Sequence, residues 1–461
     1  MRSKAGYQFF MFICFLIIVV IVQHVVDAEE GENPVIPMGT AWDERETWGY
    51  PSLHLPSELH PFQVERELWH TGFLTVAGEF EDVHVRIRGR GNSTWDNAIR
   101  NEIEKLPLRI RFDEETYLLN SADAHRDWIL MANAFDFSLL RNHFVFYLAE
   151  LMGGTGFVPT AQNVHLYVNG DYVGVYQVVD ERDIGPGRLD LHIDPDPTLS
   201  EYMIQMGERG RPHRIDSRFC VGDLRYGFSL PRRSERTIGH DEYVVEHLTR
   251  FSQALQAHDW DLVATLIDLD SFVEFYLIQE LARNIDVRTS SVFMQIRGQG
   301  EQRRLHMGPV WDFDVALGIL PTGSDRGGLE NTPEGIWVAD RHYWFRNLLH
   351  MPAFRVEVVQ RWNEMVEVEI PLAIAEIERL STTYLADFNR NFDRHEISNL
   401  RCIGGYCANA SFSEHIDYLI GFTLDRAAYL SDFFNHPDLE MLISPPDEPF
   451  IEWRDRPFVC R

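Results

Sequence analysis

Lysine is nearly missing from this chain of 461 residues. Of the 42 lysines and arginines together, only Lys4 and Lys105 are lysine. Positive charge is short as well. The 71 acidic residues leave a formal net charge of −29, which excludes non-specific nucleic-acid binding and adsorption to an anionic membrane surface. That balance favours solubility and basic partners. Cysteine is scarce, with five in all, and beyond the first thirty residues no apolar run is long enough to span a bilayer. The sequence also has no internal repeat and no low-complexity tract.

The one long apolar run is Phe9 to Val22, behind the positive stretch Met1-Arg2-Ser3-Lys4 and ahead of Val26-Asp27-Ala28. This pattern predicts a signal peptide or signal anchor over 1–28. Either way the chain leaves the cytoplasm, and the expected location is secreted or extracytoplasmic. Removing Cys14 with the leader leaves Cys220, Cys402, Cys407 and Cys460. Outside the cytoplasm an even count reads as two disulfides: Cys402–Cys407 across a short loop and Cys220–Cys460 by elimination, one of three connectivities.

Residues 29–60 are rich in Pro, Gly and Glu and read as a loosely packed lead-in. Val83 to Arg88 and Leu106 to Phe112 then alternate apolar and polar residues as strands do. Between them lies the glycine turn Arg88-Gly89-Arg90-Gly91-Asn92-Ser93-Thr94-Trp95, and Lys105 falls at the start of the second strand. Asp136 is placed to cap a helix running to about Met152. Val164–Val168 and Tyr172–Val179 flank Asn169-Gly170 as a β-hairpin. It ends at Asp180-Glu181. After Pro231 the spacing turns helical over 242–258, 260–266, 271–284, 344–349, 352–366, 372–392 and 413–434. The plan is α+β, with a mainly β first half and a mainly helical second half. Roughly 430 residues after the leader suffice for two lobes.

Lysine scarcity gives Lys105 weight. This chain uses arginine wherever a generic cation will do, so a surviving lysine suits a task for one compact ammonium, such as sitting among phosphate oxygens. The competing reading is one solvated charge in an Arg-biased chain. Glycine turns let backbone N–H groups approach phosphate. Asp312-Phe313-Asp314, after Gly308-Pro309-Val310-Trp311, offers two carboxylates to one hard cation; its competing reading is an Asx-turn. Asp286 stands alone at a helix end. Phosphate cover, phosphate cation, orienting acid, base and metal carboxylates together are the parts of a phosphoryl-transfer site.

These stretches resemble the CotH kinase family of spore-coat protein H-like atypical protein kinases. The likeness is carried by RGRGNSTW (88–95), KLPLRIRF (105–112), WILMANAFDFSLLRN (128–142), VHLYVNGDYVGVYQVVDE (164–181), LIQELARNID (277–286) and GPVWDFDVALG (308–318). The resemblance implies an atypical protein-kinase-like two-lobed fold over 61–435, followed by a tail over 436–461. It implies a kinase that moves the ATP γ-phosphoryl group to protein Ser, Thr or Tyr hydroxyls with Mg²⁺ or Mn²⁺, secreted or at a spore surface. Carried over by motif, Lys105 binds the nucleotide phosphates under the turn Arg88, Gly89, Arg90, Gly91, Asn92 and Ser93. Asp180 or Glu181 aligns the lysine, Asp286 acts as base, and Asp312 holds the metal with Asp314 as second ligand. Asn133, Asp136, Arg141 and Asn142 match a motif that is partly structural. Where many members place an Asn after the base, this chain has Ser290 and Ser291, which puts a second metal site in doubt. The expected partners are protein substrates, basic ones by net charge, with no nucleic acid and no membrane beyond an N-terminal anchor. The alternative is a non-catalytic, invasin-like adhesion protein on the same fold. A Ca²⁺-stabilised carbohydrate-binding module ranks below both, since tryptophans in a chain this size are mostly core.

Overall fold

A computed structural model describes residues 48–55, 66, 68–91, 94–96, 104–207, 218–222, 224–288, 290–319, 332–395 and 410–446. All of them belong to one compact unit, Trp48–Arg461. The expected leader, Asn92, Ser93, Cys402, Cys407 and Cys460 lie outside these residues. Cys220 is disulfide-bonded, but every other cysteine is outside the description, and so are both expected pairings. Among the described residues no helix is long and apolar enough to cross a membrane.

Seven strands close a barrel. They are β1 (Ser52–Leu55), β2 (His70–Val76), β3 (Phe80–Gly89), β4 (Leu108–Thr116), β5 (His125–Met131), β6 (Ala161–Val168) and β7 (Asp171–Asp180), in the order β1-β2-β3-β4-β5-β7-β6. Alternation drives it: Val85 and Ile87 of β3 and Leu108, Ile110 and Phe112 of β4 all point into one buried core. The Asn169-Gly170 turn has φ of 54° and 88°, the doubly left-handed turn that suits a two-residue hairpin. Closure departs from expectation. Ser52–Leu55, inside the supposedly loose lead-in, pairs parallel with β6 from Ser52↔His165 to Leu55↔Val168.

Helix α1 (Arg141–Met152) separates β5 from β6. Asp136 is not its cap residue, as the spacing suggested, since the helix starts five residues later. The carboxylate still does a cap's work by accepting the Arg141 backbone N–H at 2.8 Å. A second sheet, β12-β11-β8-β10-β9, is built from β8 (Tyr202–Met206), β9 (Arg218–Val221), β10 (Leu224–Leu230), β11 (Val292–Arg297) and β12 (Arg304–Met307). Its last two strands come from within the helical half.

The helices are α2 (Ile238–Gln256), α3 (Trp260–Leu266), α4 (Leu269–Ala282), α5 (Tyr343–Leu349), α6 (Pro352–Glu367), α7 (Glu369–Thr383), α8 (Leu385–His395), α9 (Phe412–Phe434) and α10 (Leu439–Leu442). Residues 271–282 of α4 are buried throughout. Its Glu280 meets Arg426 of α9 at 2.6 Å, both with fully buried side chains. The single helix expected over 372–392 is two, broken at Tyr384. That ring stacks on Tyr50 at 4.0 Å, and past the break Asp387 accepts the Tyr50 backbone N–H. The break turns α8 onto β7, where Asn391 accepts the Val175 N–H at 3.0 Å. The chain is therefore mixed α+β, with a strand-rich N-terminal part and a helical C-terminal part.

Candidate functional site

Lys105 sits three residues ahead of β4, not within it, and is 3 % exposed. Its ammonium has no hydrogen-bond partner among the described residues and lies 5.5 Å from the centre of the Tyr176 ring. Room for it comes from Gly174 on β7, at φ 133°. A Cβ there would meet Asn391 Oδ1 at 2.7 Å, His395 Nε2 at 2.8 Å and Lys105 Cε at 3.3 Å. Burial pushes the lysine pKa down to about 7, against the opposing pull of Asp136. Burial, with the Lys105 charge second, drives His395 to about 3. An ammonium stripped of water and acceptors has a strong drive toward an anion.

A group of carboxylates surrounds Asp314, which feels the charges of Asp312, Asp136 and Asp286. Asp312 has φ 71°, and its Oδ2 accepts from the Ser291 hydroxyl at 3.0 Å. Asn284 ties this segment to the candidate base. Its Nδ2 donates to the Asp312 carbonyl at 3.4 Å, and its Oδ1 accepts the Asp286 N–H at 2.9 Å. Asp314 is buried. Its carboxyl is held well above the usual range by burial first, then by the charges of Asp312, Asp136 and Asp286. Among the described residues no group of three or more His, Cys, Asp or Glu is arranged to hold a metal ion by itself. Mg²⁺ needs only one or two carboxylates when substrate phosphates complete its shell, so Asp312 and Asp314 fit it in that role.

The motif around 128–142 braces these acids. Asp136 Oδ1 pairs with Arg141 Nη1 and accepts the Ser138 hydroxyl, all fully buried. Arg141 Nε donates to the carbonyls of Ala316 and Leu317. Asn142 accepts the Phe313 N–H at 2.8 Å and donates to Asn133 at 3.0 Å.

The glycine turn differs from its sequence reading. A Cβ on Gly89 would fall 2.3 Å from the Trp95 ring, so the space beside this glycine is taken by an indole. Gly91, at φ 89°, makes the actual turn, and its carbonyl accepts Arg66 Nη1 at 3.0 Å. Arg88 lies over Trp69 and Arg90 over Trp311. The acids offered as partners for the lysine are engaged elsewhere. Asp180 accepts Arg188 Nε at 2.9 Å and the Thr160 hydroxyl at 2.6 Å, while Glu181 pairs with Arg109 at 3.1 Å. Burial alone would raise the Glu181 carboxyl, but the charges of Arg109, Arg182 and Arg90 overcome it and hold it at about 2. No ion pair joins either acid to Lys105 among the described residues. The charge that reaches the lysine is that of Asp136.

Three residues of this neighbourhood escaped the sequence reading: Arg182, His395 and the role of Ser291. Only Arg182 carried a signal, as a cation directly after Glu181.

The model of the CotH kinase protein family matches residues 85–430. The chain belongs to the CotH kinase family. No curated protein matches the sequence. The CotH match takes in Arg88 of the turn, Lys105, the bracing motif, Asp286, the Asp312–Asp314 segment and Arg426, while Arg66 and Trp69 lie before it. His395, on a helix remote in sequence from the barrel, belongs to the CotH region as well.

Proposed function

We propose that this CotH-family protein is an exported protein kinase that transfers the ATP γ-phosphoryl group to Ser, Thr or Tyr hydroxyls of proteins, with Mg²⁺ or Mn²⁺. The observation that carries the reading is the buried ammonium of Lys105, without a hydrogen-bond partner among the described residues, which feels the charge of Asp136 beside the Asp312–Asp314 segment. An adhesion protein has no use for such a group. A phosphate site gives it a partner. On this reading the barrel and the helical part act as the two lobes of a kinase-like arrangement.

Lys105 holds the nucleotide phosphates and regains an ion pair as they bind. Asp312 and Asp314 hold the divalent cation, which when bound neutralises charge on the phosphates. The Asp286 carboxylate orients the acceptor hydroxyl and takes its proton as the new oxygen–phosphorus bond forms and the bond to the ADP oxygen breaks. Asn142, Asn284 and Ser291 fix the backbone and carboxylate of the metal-bearing turn, keeping the geometry ready before substrate arrives.

The test uses ATP labelled at the γ or the α phosphate, with Mg²⁺ or Mn²⁺, and the variants Lys105→Ala, Asp286→Ala and Asp312→Ala. γ-label on protein, lost in all three variants, supports the kinase. α-label on protein would make the same site a nucleotidyl transferase. No label, together with no ATP-dependent thermal shift, would sink the enzyme reading in favour of adhesion.

A further inference from the structure

Arg182 follows Glu181 at the end of β7. Its guanidinium lies between two rings, 4.0 Å from the centre of Trp311 and 4.2 Å from that of Phe293. Its backbone N–H bonds to the Glu181 carboxylate at 3.1 Å, but the guanidinium makes no hydrogen bond or ion pair among the described residues. Other arginines of this fold are spent on carbonyls and carboxylates, as Arg141, Arg303, Arg346 and Arg426 are. A planar cation gripped on both faces keeps the N–H donors along its rim for another partner. Arg182 is partly exposed, so a ligand can reach those donors.

Both rings belong to segments that shape the candidate metal turn. Trp311 immediately precedes Asp312. Phe293 lies two residues beyond Ser291, whose hydroxyl donates to Asp312 Oδ2 at 3.0 Å. The Phe293 carbonyl also accepts the N–H of Gly308 at 2.9 Å, at the head of the stretch that carries the turn. The guanidinium is thus registered to the same pieces of chain as the Asp312 carboxylate. The two are joined electrostatically as well. Arg182 feels the charge of Asp312 and Lys105 that of Asp136, while Asp314 feels both acids. Two different cations therefore border one group of carboxylates.

Two carboxylates at the turn suit one divalent cation. Phosphoryl transfer spreads charge over three equatorial oxygens of the moving group, and Lys105 is assigned to the nucleotide phosphates. We propose that Arg182 is a further catalytic residue, whose guanidinium donates hydrogen bonds to the equatorial oxygens of the phosphoryl group during transfer, beside the Asp312 turn. The proposal rests on the kinase reading. As the acceptor oxygen bonds to the γ phosphorus, the bond to the ADP oxygen breaks and its electron pair leaves with ADP. The acceptor proton passes to Asp286. Arg182 keeps its own protons throughout and contributes by position, since its rings hold the charge in place before the reaction begins.

The experiment follows thermal unfolding of the full chain with Mg²⁺-ADP, and then with aluminium fluoride added as a mimic of the phosphoryl group in transfer. The wild type is expected to gain stability at each step. Arg182→Gln should keep the Mg²⁺-ADP shift and lose most of the aluminium fluoride increment. Its kcat for labelling should fall about 100-fold or more, with KM for ATP little changed. Arg182→Lys should restore part of both. Phe293→Leu leaves Arg182 in place but loosens its clamp. It should lose a smaller part of the increment, and it serves as the second probe if Arg182→Gln misfolds. An aluminium fluoride increment that is undiminished in Arg182→Gln, or absent from the wild type, overturns the proposal. So does an Arg182→Gln variant that loses the Mg²⁺-ADP shift to the same degree, because the guanidinium then serves the bound nucleotide and not the transfer. A wild type with no nucleotide shift at all brings down the kinase reading and this role together. Wild-type shifts that Arg182→Gln leaves intact bring down this role alone.

Discussion

Asn142 on α1 accepts the backbone N–H of Phe313 at 2.8 Å, so the peptide between Asp312 and Asp314 is gripped from a helix 171 residues away in sequence. The same amide donates to Asn133. The Asp312–Asp314 turn is thus tied to α1 through this side chain.

Replacing that side chain, Asn142→Ala, leaves a buried N–H unsatisfied. It should cost about 1–3 kcal/mol in stability. Apparent Mg²⁺ affinity should fall on the order of tenfold, because the carboxylates are no longer held in place. A Mg²⁺ titration of labelling activity checks this. Unchanged Mg²⁺ dependence would show that the grip is structural only.

Lys105→Met should behave in opposite ways by two measures. It removes a buried ammonium with no acceptor among the described residues, so the ligand-free protein should gain roughly 1–3 kcal/mol. ATP-dependent stabilisation should vanish. Thermal unfolding with and without Mg²⁺-ATP reads both, and a destabilised ligand-free variant would contradict the idea that function here is held against stability.

The same lysine sets a pH slope. Its pKa is about 7 folded against an ordinary 10.5, so between these values the unfolded chain binds the extra proton. Its contribution to stability therefore rises with pH from about 7 to 10.5 and is least below 7. In urea unfolding series, wild type minus Lys105→Met should show this positive slope. A flat difference would mean the ammonium is solvated.

Glu280 and Arg426 are buried together, and Glu280 also accepts the N–H groups of Trp337 at 2.6 Å and Val338 at 2.8 Å. Arg426→Met should cost about 3–5 kcal/mol by leaving a buried charge. Adding Glu280→Gln should recover part of that. A double-mutant cycle by urea unfolding decides, and strictly additive losses would show the two groups to be independent.

What was legible in the sequence was local. The Asn169-Gly170 hairpin and the alternating strands of the barrel are properties of short windows and were found there, and the isolation of Lys105 needed only a count over the chain. What was not legible needed a partner far along the chain. Four residues, Ser52–Leu55, close the barrel, yet among Pro, Gly and Glu they carry no strand signal, because parallel pairing with β6 supplies it. Gly89 looked like a phosphate contact because nothing in the turn reveals that Trp95 folds back onto it. Asp180 and Glu181 looked alike as partners for a lysine. Only the placement of Arg188 and Arg109 assigns each acid its actual cation. The break at Tyr384 has no Pro or Gly to announce it, and comes from the ring stacking on Tyr50.

Lysine scarcity also makes the chain a chemical instrument. Among the described residues Lys105 is the sole side-chain amine, and near neutral pH much of it is uncharged and therefore nucleophilic. An amine-selective acylating reagent should mark this position with one defined mass increment, and anything seated against the ammonium should shield it. The acylated fraction of the peptide containing Lys105, read by mass spectrometry across a ligand series, then reports ligands seated at Lys105, without a radioactive label or a turnover assay.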